Sequence, residues 1–228
     1  MSDDDLYFRQ VPLGPMANFA YLIGSRETKE CLVVDPAWDV GGLIEIARRD
    51  GFEIRGALVT HYHPDHVGGE MMGFEVPGGI AELIAQVPAK IHVQRAEADG
   101  LKQITGVSES DLVRHDSGDK IELGRVAIEL IHTPGHTPGS QCFTVRDRLV
   151  SGDTLFIDGC GRVDLPGADP EAMYYSLTQR LAKLGDDVVL YPGHDYGPTP
   201  TATIGHVRKT NYCLRIRSIE DWRRLMMG

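Results

Sequence analysis

The chain has 228 residues, 42% of them hydrophobic and 25% charged, which excludes a disordered or fibrous polymer. With 33 Asp and Glu against 23 Lys and Arg, its net charge is −10, a poor basis for holding nucleic-acid phosphates. No apolar run approaches the roughly 18 residues of a membrane span. The start, Met1-Ser2-Asp3-Asp4-Asp5, is acidic where a secretion signal is basic and then apolar. Cys31, Cys142, Cys160 and Cys213 form no C-x-x-C pair, so a cytoplasmic protein with reduced thiols is the simplest expectation.

In chain order, residues 18–23 and 31–34 read as short apolar strands, the second stopped by Asp35-Pro36. Residues 40–50 read as a helix with Leu43, Ile44, Ile46 and Ala47 on one face. Arg48-Arg49 fill its last turn and Gly51 stops it. Residues 54–60 read as a further strand, completing a βαβ-like unit. Residues 71–88 carry three Gly and two Pro around a short apolar stretch, residues 80–87. That pattern fits a flap with a helical turn and an ordinary surface insertion equally well. Residues 90–93 predict a strand and 95–104 a helix. From 120 to 150, alternating β-branched segments predict four strands in a meander. Asp169 as N-cap and Pro170 at the first helical position open a helix that runs to Leu184, before Gly185. Residues 188–191 form a last short strand, and the chain from 201 onward reads as helical and basic. Strands precede helices in two successive groups. Two sheets face to face with outer helices satisfy that order, and so does one open mixed sheet.

The chemistry is concentrated in Thr60-His61-Tyr62-His63-Pro64-Asp65-His66, directly after a predicted strand. In extended chain, residues i and i+2 point to one side, so His61 and His63 can hold one metal between them. Pro64 then redirects the chain, and Asp65 and His66 reach a second point nearby. Imidazole and carboxylate suit zinc, iron or manganese rather than calcium. Three more candidates sit at strand ends, each preceded by Gly: His136 in HTPGHTPG, Asp153 in LVSGD, and His194 in YPGHD. Glycine there allows a tight turn and close approach.

Together these motifs resemble those of the metallo-β-lactamase fold superfamily, in the family's order, from about residue 20 to 195. The resemblance implies an α/β (α+β) fold, a four-layer αββα sandwich of two mixed β-sheets with the metals at one edge. It implies one domain over residues 1–228, with an insertion at about 70–89 and a helical C-terminal segment from about 200. It implies that His61, His63 and His136 bind the first metal, that Asp65, His66 and His194 bind the second, and that Asp153 bridges both. His92, His115, His132 and His206 lie outside the pattern, and His132, close to His136, reads as structural. Cys142 reads as a small buried hydrophobe.

Two divalent ions, Zn2+ first and Fe or Mn as alternatives, would hold a bridging hydroxide at neutral pH that attacks a carbonyl carbon. Asp65 and Asp153 are the catalytic candidates, Asp65 taking a proton or orienting the nucleophile. GxSxG is absent and no Ser or Cys nucleophile is required. The stretch GDTLFIDGCGRVD, residues 152–164, is similar to the glyoxalase II (hydroxyacylglutathione hydrolase) and persulfide dioxygenase branch. By that likeness Arg162 is a substrate-carboxylate clamp, and Tyr196 a further substrate contact. The expected activity is hydrolysis of a small thioester or ester, glyoxalase II-like. The alternatives are a mononuclear iron persulfide dioxygenase using His61, His136 and Asp153, a lactonase or other hydrolase of this fold, and a non-catalytic metal-binding protein. Two departures bear on glutathione as substrate: the insertion is longer than expected, and no glutathione-binding helical domain is evident after residue 199. Expected partners are a small-molecule substrate, among them a glutathione or other thiol conjugate, and a second copy of the chain as a homodimer. No nucleic acid and no membrane are expected.

Overall fold

A computed structural model describes residues 5–227. Of the acidic start, residues 1–4 lie outside the described residues. The first half runs β1 (Leu6–Leu13), β2 (Asn18–Ser25), β3 (Glu30–Val34), α1 (Val40–Arg49), β4 (Glu53–Leu58), α2 (Pro64–Val67), β5 (Gly69–Met71), β6 (Phe74–Val76), α3 (Ile80–Gln86), β7 (Lys90–Gln94), α4 (Ala98–Thr105) and β8 (Leu112–His115). The second half runs β9 (Lys120–Leu123), β10 (Val126–His132), β11 (Gln141–Val145), β12 (Arg148–Gly152), α5 (Pro170–Tyr175), β13 (Val189–Pro192), β14 (Ala202–Thr203), α6 (Ile204–Thr210), α7 (Tyr212–Arg215) and α8 (Ile219–Met227).

Each half builds one mixed sheet. The first has the order β1-β2-β3-β4-β7-β8 and the second β14-β13-β12-β11-β10-β9. In the first, β1 to β3 are antiparallel and β3 to β8 parallel. In the second, the parallel pair is β12 with β13. Three apolar layers hold these elements. Leu22, Val33, Leu43, Leu83 and Leu101 fill the space between the first sheet and its helices. Tyr21, Ile23, Val34, Ile128, Phe143 and Val150 fill the space between the sheets. Leu149, Met173, Leu177, Val207 and Trp222 fill the space beyond the second sheet. This is the expected αββα sandwich. Successive side chains point to opposite faces, so β2 sends Ala20 and Leu22 to one core and Phe19, Tyr21 and Ile23 to the next. Burial on both faces explains why β2 reads as a continuous apolar run rather than an alternating one.

The helix from Asp169 starts as expected, with the Asp169 carboxylate accepting from Ala172 N–H and Pro170 in the first turn. It does not stay α-helical to Leu184. A π turn follows at Ser176–Arg180 and a 3-10 turn at Leu181–Lys183. Two hydroxyls explain the change, since Ser176 Oγ donates to Pro134 O at 2.7 Å and Thr178 Oγ1 to Tyr174 O at 2.7 Å. Residues 71–88 contribute to the hairpin β5–β6 and to α3, whose Ile80 and Leu83 are fully buried against the first sheet. The C-terminal segment opens with β14, which extends the second sheet, before its helices begin.

Candidate metal centre

The site lies where the two sheets end together. His61 and His63 follow β4, and Pro64 opens the short helix α2, which carries Asp65 and His66 in a single turn. His136 sits in the turn after β10, Asp153 follows β12, and His194 follows β13. All seven predicted ligands meet here, and all except the slightly more open Asp153 are buried. The glycines act as expected at two of the turns. Gly152 has φ +49, and a Cβ there would lie 2.6 Å from Thr60 Cβ. A Cβ on Gly193 would lie 2.4 Å from Asp153 Oδ1, so only glycine lets β13 pass the carboxylate this closely.

Two trios emerge, His61/His63/His136 and Asp65/His66/His194, each with its ligand atoms within 4.8 Å of one another. Ligands about 2.0–2.1 Å from a tetrahedral ion stand about 3.3 Å apart. In the second trio, His66 Nε2 lies 3.2 Å from His194 Nε2 and 3.3 Å from Asp65 Oδ2. His194 Nε2 is also 3.3 Å from Asp65 Oδ2. In the first, His63 Nδ1 lies 2.9 Å from His136 Nε2. Asp153 Oδ2 stands between the trios, 3.6 Å from His136 Nε2 and 3.4 Å from His194 Nε2. Among the described residues, the buried side-chain polar atoms with no hydrogen-bond partner are His61 Nε2, His63 Nε2 and Asp153 Oδ1. Asp153 Oδ1 is 3.3 Å from His66 Nε2 but outside hydrogen-bond geometry. Orphaned acceptors of this kind cost free energy unless something occupies the point they face, and this donor set fits a divalent ion.

The far side of four of the five rings is fixed. His66 Nδ1 lies 3.0 Å from Asp35 Oδ2, His136 Nδ1 2.7 Å from Arg162 O, His194 Nδ1 2.9 Å from Met16 O, and His61 Nδ1 3.0 Å from Thr60 Oγ1. Such partners set which ring nitrogen is free to ligate. Asp35 also groups with His61 and His66 at ligand-like distances. Its oxygens, however, already accept from Thr60 N–H at 2.8 Å and Thr60 O–H at 2.6 Å, so it orients rather than ligates.

The electrostatics divide along the same line. Burial pushes the His61 imidazole well below its usual range, reinforced by His66, His136 and His63. Burial and then His136 bring His63 down to about 3, and burial lowers His136 as well. These rings are neutral and offer lone pairs. Burial acts to raise Asp65 and Asp153, but His66 and His194 hold both carboxylates far down. Conversely, burial acts to lower His66 and His194, yet the carboxylates raise His66 well up and His194 to about 9. Two buried carboxylates demand cationic charge at this point, which a divalent ion supplies.

A cavity of about 380 Å³ opens onto His63, Asp65, His136, Asp153 and His194. None of residues 70–89 lines it, whereas Phe156, Cys160, Arg162, Tyr196 and Tyr212 do. Tyr196 stacks on His194 with ring centroids 4.5 Å apart. The Arg162 side chain is 67% exposed at the rim, and its guanidinium engages Asp164 at 2.9 and 2.7 Å. A larger groove of about 690 Å³, near Arg146, Arg180 and Lys183, holds none of the seven ligands.

Three residues that sequence reasoning missed support the site. Asp35 was read only as the end of a strand. Asn18 Nδ2 donates to Asp65 Oδ2 at 3.0 Å. Glu97, buried at 1% exposure, accepts from Tyr62 N–H, Thr137 O–H and Gly139 N–H, each at 2.7 Å. It thereby ties the loop carrying His61 and His63 to the turn carrying His136. Burial pushes its carboxyl up to about 7 despite those three donors. His132 lies beside the same turn, its Nε2 2.9 Å from Pro138 O. No described helix is long and apolar enough to cross a membrane.

Known proteins resemble this chain in sequence and in fold. A hydroxyacylglutathione hydrolase of a Polaromonas species is 39% identical over 183 residues, which cover 78% of this chain and 62% of that protein. The mitochondrial persulfide dioxygenase ETHE1 of Homo sapiens is 30% identical over 217 residues, 91% of this chain and 75% of that one. Among solved structures, ETHE1 from Myxococcus xanthus superposes with a TM-score of 0.81 at 25% identity, covering 97% of this chain and 90% of that one. The family model of the metallo-beta-lactamase superfamily matches residues 13–194, and the chain belongs to that superfamily.

Proposed function

We propose that the protein is a metal-dependent hydrolase that cleaves a small thioester or ester, in the manner of glyoxalase II. The observation that carries this reading is the pair of adjoining ligand trios, with Asp153 between them, at the floor of one cavity. His61, His63 and His136 would hold the first ion, Asp65, His66 and His194 the second, and Asp153 would reach both. Two divalent ions, zinc above iron or manganese, would supply a hydroxide at neutral pH and polarise the substrate carbonyl. Asp65, kept ionised by His66 and His194 and steadied by Asn18, would orient the nucleophile. Arg162 exchanges its contact with Asp164 for a substrate carboxylate, which suits a glutathione or other thiol conjugate. Tyr196 bounds the substrate beside His194. A homodimer in the cytoplasm completes this reading.

One observation favours a second reading, a persulfide dioxygenase with a single iron on His61, His136 and Asp153. The chain spans only 62% of the hydroxyacylglutathione hydrolase but 90% of the Myxococcus xanthus chain. Metal analysis of protein produced with zinc and iron both supplied separates the two. About two zinc ions per chain, with thioester hydrolysis, supports the hydrolase. His63→Ala and His194→Ala should then each leave about one ion and lower turnover by more than the 10–100-fold typical of supporting residues. About one iron per chain, with oxygen uptake on glutathione persulfide, would replace the first reading by the second.

A further inference from the structure

Four cysteines are free, and three of them, Cys31, Cys142 and Cys213, are buried. Cys160 is partly exposed and lines the cavity that holds the metal ligands. Its sulfur lies 3.6 Å from that of Cys213, 53 positions further along the chain. No other pair of thiols stands this close among the described residues. The two supporting segments are already joined. Asn211 Nδ2 donates to Gly159 O at 2.8 Å and to Phe156 O at 3.0 Å, while Asn211 Oδ1 accepts from Cys213 N–H at 2.9 Å. A disulfide needs its sulfurs about 2.05 Å apart, so an approach of about 1.6 Å closes the bond, with the backbone on both sides held in register.

We propose that Cys160 and Cys213 form a modification site, a reversible intramolecular disulfide made by exchange with a small disulfide that enters the cavity. Cys160 is the attacking thiol, because it faces the cavity and Cys213 does not. Its sulfur attacks one sulfur of the small disulfide. A mixed disulfide forms, and the first small thiol leaves with the Cys160 proton. Cys213 then attacks the Cys160 sulfur, and the second small thiol leaves with the Cys213 proton. The two cysteines lose two electrons together and the small disulfide becomes two thiols. The link staples the cavity wall, with Tyr212 beside Gly159, to α7. It also removes the Cys160 thiol from that wall.

The test uses the metal-loaded full chain and excess glutathione disulfide, followed by acid quench, thiol counting under denaturing conditions and intact mass. Free thiols should fall from four to two, with a mass loss of two hydrogens, one cross-linked Cys160–Cys213 peptide pair, and full reversal by dithiothreitol. Cys213→Ser should instead accumulate a single glutathione adduct on Cys160, and Cys160→Ser should take up none, because Cys213 is sealed from the cavity. The proposal is overturned if the wild type keeps four thiols, stops at the mixed disulfide, or links through Cys31 or Cys142. Thiol counting does not depend on turnover, so this result and that for the hydrolase are read separately.

Discussion

On the two-ion reading proposed above, Asp35→Asn should separate the two ions. In the wild type, Asp35 Oδ1 accepts from Thr60 N–H, and Oδ2 faces Thr60 O–H and His66 Nδ1. A carboxylate only accepts, so with an ion bound His66 would keep its proton on Nδ1 and present Nε2, which lies 3.2–3.3 Å from His194 Nε2 and Asp65 Oδ2. Asparagine keeps the shape but turns one oxygen into a donor. If its NH2 faces His66, the ring must move its proton to Nε2, the atom needed by the second trio. If its NH2 faces Thr60 instead, two donors meet at a wild-type spacing of 2.8 Å, leaving a buried amide unpaired at a cost of about 1–3 kcal/mol. The second orientation is thereby disfavoured, and the first weakens the second ion by about 10–100-fold, while the first trio keeps His61, His63 and His136 intact. Zinc titration against a chromophoric chelator should show one ion at wild-type affinity and one weakened. Equal weakening of both ions, or none, would refute the tautomer argument.

Two further outcomes follow from buried groups. Glu97 is raised by burial from 4.5 to about 7, so below about pH 4.5 the folded and unfolded chains bind the same proton there. As pH rises towards 7, the unfolded chain releases it first, and the contribution of Glu97 to stability falls. Glu97→Gln does not titrate, so the melting-temperature gap between wild type and variant in the metal-chelated protein should narrow from pH 5 to 8; a constant gap would contradict this. Trp222 is fully buried and its Nε1 donates to Pro170 O at 2.6 Å. Trp222→Ala should destabilise by about 3–5 kcal/mol, lowering the melting temperature by about 6–20 °C at about 2–4 °C per kcal/mol; a shift below about 2 °C would show that α8 is not part of the third core.

The seven candidate ligands were legible as a set, because H-x-H-x-D-H and three glycine turns at strand ends follow the family's order, whereas each glycine turn alone carries little. Their supports were not, because Asp35, Asn18 and Glu97 act through contacts between distant segments. Asp35 carried one usable signal, its place at the end of a buried strand beside the strand that delivers His61. β1 was missed because Arg9, Gln10 and Pro12 interrupt its apolar pattern, and pairing with β2 decides its state. β8 is half-buried at a sheet edge and has no strong alternation. The hairpin β5–β6 was hidden among glycines that punctuate any loop. Periodicity left a sandwich and an open sheet equally open; the family resemblance chose the sandwich, and the two-faced burial of β2 is its physical sign.

The arrangement of the ligands along the chain has a consequence for assembly order. The first trio joins His63 to His136 across 73 positions, and the second joins His66 to His194 across 128. Neither can be completed from the first sheet alone, so on the two-ion reading each ion would be captured only after the two halves have docked. An ion held there would latch one half to the other from the rim. Chelation should therefore loosen the seam between the sheets before it loosens either sheet, and hydrogen exchange would register this first at the ends of β4, β12 and β13.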